Sequence, residues 1–362
     1  VNVLIVKPSS FGDVLHTFPA VDLLRRTLPE ARITWVVNEE LADLVELCPA
    51  VERVILFPRQ KLRQARNWPR LAGFLADLRE LEFEYALDFQ GLMRSGLITW
   101  AARARHRVGF RSAREGARTL YTERVPLPAN LRHAVDKNVF LVRSTFGTEL
   151  PHGFPDLVVE PQAQRRGQRL LEETGLASAG PLVAVAPGSR WESKTWPPGF
   201  FARVMDRVAE LAPQTGFWLL GTQSEHATGE TVIRACSSAR PVNLMGRTPI
   251  PTLAHLVAGS SALLCNDSGP MHLAAAVRTS VVALFGPTDP ELTGPYGDGH
   301  ITLRATCEDA PCFRRQCPRQ AHAACHGRIS EEETAQAVLQ LLSEGTQARP
   351  TPDSSSEPRN DQ

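Results

Sequence analysis

No apolar run in this sequence approaches the ~18 residues that a membrane-spanning helix requires, so an integral membrane protein is not expected. Net charge is almost absent as well. Lys and Arg number 40 against 39 Asp and Glu, a formal +1, which supplies no global field for nucleic acid. The opening VNVLIVK is too short for a signal peptide and reads as a strand. Seven cysteines, an odd number, fit a reducing compartment better than a disulfide framework, and a cytoplasmic location is the expectation. The loop after the first strand, Lys7 to Asp13, has no G-x-G-x-x-G, which disfavours a dinucleotide-type dehydrogenase. It also has no G-x-x-x-x-G-K-[ST], which removes the P-loop NTPases.

What is present is ordinary for a globular protein, with 43% hydrophobic and 22% charged residues. A length of 362 residues exceeds one typical core and predicts two domains. Strand and helix signals alternate in both halves, with helices expected over about Val14 to Leu28, Glu39 to Leu47 and, last in the chain, Glu331 to Leu342, and Pro/Gly punctuation without periodicity at Pro151 to Asp156 marks the linker. The expected division is 1–155 and 156–345. The stretch from about Thr346, rich in Pro, Ser and Asp, is expected to be a disordered tail. Charge is uneven along the chain. Residues 1–150 carry 22 basic and 17 acidic side chains, and the remainder 18 and 22, so an anionic partner is expected on the amino-terminal side.

The most informative stretch is NDSGPMHLAAAVRTSVVALFGPTDPELTGPYG, residues 266–297. Ala262 to Cys265 reads as a buried strand, Met271 to Val277 as an apolar helix and Val281 to Phe285 as a second strand, together a βαβ unit of a parallel sheet. Asp267 and Ser268 suit an N-cap, and Gly269 and Pro270 the first turn. Free N–H groups at such a helix start accept phosphate, although the same residues also fit an ordinary capped helix. The turn Gly286-Pro287-Thr288-Asp289 follows the next strand, so both loops open at the carboxyl edge where α/β sheets bind ligands.

DSGPMHLAAA followed by LFGPTDPELTGPYG resembles the donor-binding region of the ADP-heptose:lipopolysaccharide heptosyltransferases, glycosyltransferase family 9. SSFGDVLHTFPAVDLLRR is similar to the family's amino-terminal motif, whose Asp is the proposed catalytic base. The resemblance carries that role to Asp13, with His16 one turn further on the same face. By residue chemistry alone Asp13 reads more readily as an N-cap or first-turn acid favoured by the helix dipole than as a general base aimed into a cleft. DFQGLMRSG is similar to D-x-Q-G-x-x-[KR]-S and implies that Gln90, Gly91 and Arg94 line the cleft. PGSRWESKTWP matches P-G-x-x-x-x-x-K-x-W-P and implies a diphosphate contact by Ser189 and Lys194. VNLMGRT resembles the N-L-x-G-x-T segment, where Leu244 and Met245 read as adenine contacts or as core. Glu225, an acid just past a strand, is a candidate for ribose hydroxyls. The run RVGFRSAREGARTLYTERVPLP, then HAVDKN, looks more like the heptosyltransferase I branch than II.

Two basic segments stand apart. Pro58 to Arg70 holds Arg59, Lys61, Arg63, Arg66 and Arg70 with no acid, and six Arg against one acid occupy 103–118. The first reads as a solvated face or as an anion-binding loop, because the guanidinium fork suits phosphate and carboxylate. With the resemblance it implies contact, through Arg59, Arg63 and Arg66, with a Kdo-bearing lipid A acceptor or with the inner face of the inner membrane by peripheral contact. Cys307, Cys312, Cys317 and Cys325 lack the C-x₂-C pairs of a zinc ribbon, and a structural metal or unligated thiols both remain open.

The resemblance covers about 1–345. It implies an α/β GT-B fold, two Rossmann-like domains with parallel sheets facing a central cleft. It implies inverting transfer of L-glycero-D-manno-heptose from ADP-heptose to Kdo of the lipopolysaccharide inner core. Asp13 would be the base, Asp267 and His272 would fix the donor, and Lys194, Ser189 and the N–H groups around Ser268 and Gly269 would stabilise the departing diphosphate. No cofactor or protein-bound metal is expected. The alternatives are a heptosyltransferase II acting on a heptosylated core and an epimerase-like sugar-nucleotide enzyme of the same fold.

Overall fold

The computed structural model describes residues 1–59, 68–317 and 325–348. The first half contributes six strands, β1 (Asn2–Val6), β2 (Arg32–Asn38), β3 (Arg53–Phe57), β4 (Tyr85–Asp88), β5 (His106–Phe110) and β6 (Glu123–Val125). In space they run β3-β2-β1-β4-β5-β6, all parallel. The second half contributes β7 (Leu182–Ala186), β8 (Gly216–Leu219), β9 (Val242–Asn243), β10 (Ala262–Asn266), β11 (Val281–Phe285) and β12 (Ile301–Arg304). Their order is β12-β11-β10-β7-β8-β9, again parallel throughout. The central strands VLIV, ALLCN and VVALF are buried along their whole length, as continuous apolar runs must be when helices cover both faces of a sheet.

The strand order fixes where ligands are read. Each chain half starts at a central strand, moves outward, and then returns to the other side of its starting strand. The switch points fall between β1 and β4 in one sheet and between β7 and β10 in the other. Register brings the loops there side by side, because Val6 pairs with Asp88 and Ala186 with Cys265. Residues 148–160 join the halves without regular structure, yet Val158 N–H donates to Leu47 O and Phe154, Leu157 and Val159 lie against the first core.

Three expectations on element boundaries need correction. The helix expected over Val14 to Leu28 is two helices, Phe11–Leu15 and Phe18–Thr27. Pro19 has no N–H to continue the first and sits in the opening turn of the second. The Asn138 amide donates to the His16 carbonyl and to Thr17 Oγ1 at the break. Glu39 to Leu47, expected as one helix, is a 3₁₀ turn (Glu39–Leu41) and a single α turn (Ala42–Val45). The last helix, expected to end at Leu342, runs from Glu331 to Ala348 and enters the stretch expected as tail. Residues 349–362 lie outside the described residues.

Asp88 shapes the loop after β4. Its carboxylate is fully buried and accepts the N–H groups of Gln90 and Gly91 at 2.8 and 3.0 Å and the Tyr121 hydroxyl at 2.6 Å. Burial raises its pKa, against the pull of those three bonds. Asp88→Ala strands these buried donors and is expected to cost about 3 kcal/mol, with Asp88→Asn milder because it keeps the acceptor oxygen. Urea unfolding monitored by circular dichroism measures both.

Candidate active site

At the end of β1 the chain turns into the helix Phe11–Leu15 with Ser10 as its N-cap. Asp13 reaches back, and its Oδ2 accepts the Ser10 N–H at 3.0 Å and the Ser10 hydroxyl at 2.6 Å. Oδ1 takes no hydrogen bond among the described residues, and Asp13 lies in the wall of the cleft described below. Burial pushes this carboxyl up, but the Lys7 ammonium, the two Ser10 bonds and His272 together bring it below its usual value. Asp13 is therefore an anion at neutral pH. Lys7 is buried and anchored by a 3.0 Å bond to the Phe89 carbonyl. Burial lowers its pKa while Asp13 and Asp88 oppose the shift.

The second sheet supplies cationic and dipolar groups. Asn266, fully buried at the end of β10, receives Trp196 N–H and donates to the Pro187 carbonyl, which pins both ends of the loop after β7. That loop carries Lys194, whose ammonium lies 2.6 Å from Asp267 Oδ2 and 4.6 Å from the centre of the Trp191 ring. Thr288 also donates to Asp267, at 2.6 Å. An ammonium has three donors, so the bond to Asp267 holds Lys194 without exhausting it. Ser268 caps the helix Gly269–Ala276, and its hydroxyl makes no cap bond. It is buried without a partner among the described residues. A buried hydroxyl at a helix N-terminus with nothing to bond asks for a ligand.

The two helix starts meet across the halves. A Cβ on Gly12 would overlap the His272 imidazole, and one on Gly269 would lie 2.9 Å from Phe11 Cδ1. His16 Nε2 and His272 Nδ1 are 3.0 Å apart, with ring centroids 4.2 Å apart, edge to face. Burial holds His16 well below the usual imidazole range, helped by His272, and holds His272 at about 4 although Asp267 and Asp13 oppose it. Both rings are neutral at pH 7. His16 Nδ1 has no partner among the described residues, and a bare lone pair costs less there than an unpaired N–H. The proton therefore sits on His16 Nε2, and His272 keeps its own on Nε2, beside Gly12. His133 completes the cluster. Its Nδ1 accepts the Val135 N–H, so its Nε2 donates to the Gly294 carbonyl.

These groups enclose a cleft of about 340 Å³ whose wall includes Asp13, Ser189, Lys194, Asp267, Ser268, Gly269 and His272. All seven were singled out in the sequence. Residues that sequence reasoning passed over share the wall, among them Arg190, Trp191, Thr293 and Arg315. No local pattern marks Arg315. It lies far along the chain and is brought in because Ser193 bonds the carbonyls of Arg314 and Arg315. Glu225 is outside the cleft wall, with its carboxylate packed where a Cβ on Gly188 would be, at the adjoining carboxyl ends of β7 and β8. Met245 is fully buried in the second core and is not brought to the cleft. Gln90 and Arg94 sit after β4 on the first sheet's carboxyl edge, Arg94 exposed and Gln90 with a buried Oε1 that has no partner among the described residues. Arg59 is exposed just past β3, and Arg63 and Arg66 lie outside the described residues. Cys307, Cys312, Cys317 and Cys325 are free thiols around a small, mostly apolar cavity of about 30 Å³. Among the described residues no group of three His, Cys, Asp or Glu has metal-holding geometry. A hollow of about 440 Å³ at the amino-terminal edge of the second sheet, by Pro181 and Ser261, has no charged group in its wall.

Two doubly wound parallel domains, with a carboxylate on one sheet edge facing a helix N-terminus and a lysine on the other, define a GT-B glycosyltransferase. The sequence profile of glycosyltransferase family 9 (heptosyltransferase) matches residues 72–323, and the chain belongs to this family. It is 30% identical to lipopolysaccharide heptosyltransferase 1 of Pseudomonas aeruginosa over 88% of each chain. It is 27% identical to lipopolysaccharide heptosyltransferase 2 of Salmonella typhimurium, over 84% of this chain and 88% of that one. Among solved structures it is similar to the E. coli heptosyltransferase WaaC with ADP, with 25% identity and a TM-score of 0.74 over 95% of this chain and all of the other. No helix among the described residues is long and apolar enough to cross a membrane.

Two outcomes follow from the packing. Gly12→Ala is expected to destabilise by about 1–3 kcal/mol, the cost of forcing a methyl into a filled contact, and a thermal melt reads it. The buried histidines also set a pH dependence. His272 binds its proton near pH 4 when folded and near 6.5 when unfolded, so the unfolded chain holds more protons between these values. Stability is complete above about pH 6.5 and falls as pH drops toward 4. Replacing His272 with Asn is expected to reduce that slope in urea titrations across the window, with the remainder carried by other buried histidines such as His326, also held at about 4.

Proposed function

We propose that the chain transfers L-glycero-D-manno-heptose from ADP-heptose to a Kdo hydroxyl of the lipopolysaccharide inner core, with inversion at the anomeric carbon. The observation that carries this reading is the juxtaposition, in one cleft, of the Asp13 carboxylate with Lys194, Ser268 and the N-terminus of helix Gly269–Ala276. In this reading Asp13 Oδ1 takes the proton of the acceptor hydroxyl as that oxygen bonds to the anomeric carbon. The bond from that carbon to the diphosphate oxygen breaks, and its electron pair leaves with ADP. The leaving charge meets Lys194, the Ser268 hydroxyl and the Gly269 N–H, groups already oriented before the charge appears. His272 stays neutral and offers its Nε2–H to the bound donor as a hydrogen-bond donor. No metal is required by this scheme. Ser189 sits beside the diphosphate, and Glu225, at the neighbouring strand ends, is assigned to the ribose. Gln90, Arg94, Arg59, Arg63 and Arg66 are assigned to the anionic acceptor, a Kdo-lipid A at the inner face of the inner membrane.

The similarity to proteins named heptosyltransferase 1 at 30% identity, and to ones named 2 at 27%, supports a lipopolysaccharide core substrate and favours Kdo over a heptosylated core. The domain division proposed with this reading is 1–155 for the acceptor and 156–345 for the donor. Mass spectrometry of product from ADP-heptose and a de-acylated Kdo-lipid A tests the scheme. Wild type is expected to transfer, and Asp13→Ala to lose ~10²-fold or more of the rate, the size of a general-base contribution, while still binding ADP-heptose. Transfer by Asp13→Ala at the wild-type rate overturns the assignment of the base. Transfer by wild type only to a heptosylated core moves the chain to the second branch.

A further inference from the structure

The helix Met93–Ala101 starts beside the β4 loop, on the same sheet edge as Asp13, and its outer face is unusual. Met93, Leu97 and Trp100 are 37%, 48% and 56% exposed. At spacings of four and three residues they share one stripe of the helix, about 10 Å long. Scattered exposed apolar residues need no explanation, but an aligned Met, Leu and Trp on a single helix face does. The opposite face carries the helix's own packing. Ile98 is buried, and Gly96 lies against Ala117 and Leu120 of the following turn.

The surroundings of the stripe are cationic. Arg94 is on the helix, Arg103 and Arg105 follow its end, and Arg111, Arg114 and Arg118 belong to the segment that packs beside it. All six are exposed. None is paired with a carboxylate among the described residues, and Glu115, the one acid in the segment, is engaged by the Met93 N–H. A Trp-tipped apolar stripe bordered by unpaired guanidiniums has the chemistry of an anionic lipid–water interface, where the ring sits at headgroup depth and arginine meets phosphate. A second copy of this chain is a poor occupant, because pairing two such faces brings like charges together.

We propose that the outer face of helix Met93–Ala101 is a docking surface for a bilayer rich in anionic phospholipid. The proposal deepens the reading of a lipid-linked acceptor, which gives the contact its purpose, and rests on exposure and charge for its evidence. Docking through this face sets the rim that carries Asp13 near the membrane plane.

Co-sedimentation of the full chain with vesicles tests it. Binding to vesicles rich in phosphatidylglycerol is expected at low salt, with little to phosphatidylcholine alone and a steep loss as salt rises. The double variant Leu97→Ser/Trp100→Ser touches no residue assigned to the cleft. It is expected to lose about tenfold or more of vesicle binding, with transfer to the soluble, de-acylated acceptor unchanged. Failure of wild type to bind anionic vesicles, or equal binding by the double variant, overturns the proposal. So does a wild-type dimer that the double variant converts to monomer in sedimentation velocity, since that makes the face a self-association surface. If vesicle binding follows expectation but wild type does not transfer to the soluble acceptor, the docking surface stands and the heptosyl-transfer reading fails.

Discussion

The site depends on one close approach. Helix Phe11–Leu15 and helix Gly269–Ala276 meet at their starts, and they do so because glycine stands at position 12 against His272 and at position 269 against Phe11. Remove that proximity and Asp13 belongs to one sheet and Lys194, Ser268 and His272 to another, with no common substrate. The approach is backed by shared packing. Leu273 and Ala276 bury with Val14 and Leu15 in the same apolar cluster, so the second half contributes to the core of the first. Along the side of the cleft, Tyr296 donates to Asp136 at 2.6 Å and receives His152 at 2.9 Å, while Arg132 bridges to Asp289 and Glu291. The polar links give direction, and the apolar contact supplies most of the adhesion.

Electrostatics at the contact follow from what burial does to each group. Two imidazoles, if charged, would repel in a dry interface, and burial keeps both neutral. The carboxylate of Asp13 survives the same burial as an anion because Lys7 sits beneath it and Ser10 bonds it twice. An anion opposite a helix N-terminus and an ammonium would normally collapse onto them. Here Asp267 occupies the ammonium and Ser10 occupies one oxygen of Asp13, which leaves the other oxygen and the Ser268 hydroxyl for a substrate.

Much of this was legible in the sequence because it is local. Continuous apolar runs gave the central strands, and Ser268-Gly269-Pro270 gave the helix start almost to the residue, Gly269 rather than Met271. Asp13 and the Lys194 loop are legible through motif resemblance, and the fold sets them on the walls of one cleft. What escaped was what depends on contact between distant residues. His16 touches His272 across 256 positions, and nothing in either heptapeptide announces it. Lys7 reads as a strand-end cation until its bond to Phe89 buries it. Arg315 enters the cleft only through the Ser193 tether. The break at Pro19 is readable in principle, since proline cannot continue a helix, and it falls inside the single helix expected over Val14 to Leu28. Met245 shows the opposite case, an apolar residue in a matched segment whose burial is explained by the core alone.

In the proposed function a diphosphate binds at the start of helix Gly269–Ala276, facing Asp13 across the contact between the halves. A crystal structure of the chain with ADP decides this. The terminal phosphate is expected within hydrogen-bonding distance of the Gly269 N–H, the Ser268 hydroxyl and the Lys194 ammonium, with Asp13 on the opposite wall. A phosphate held instead in the adjoining hollow of Arg190, Trp191, Arg314 and Arg315, with Ser268 still unpartnered, contradicts it.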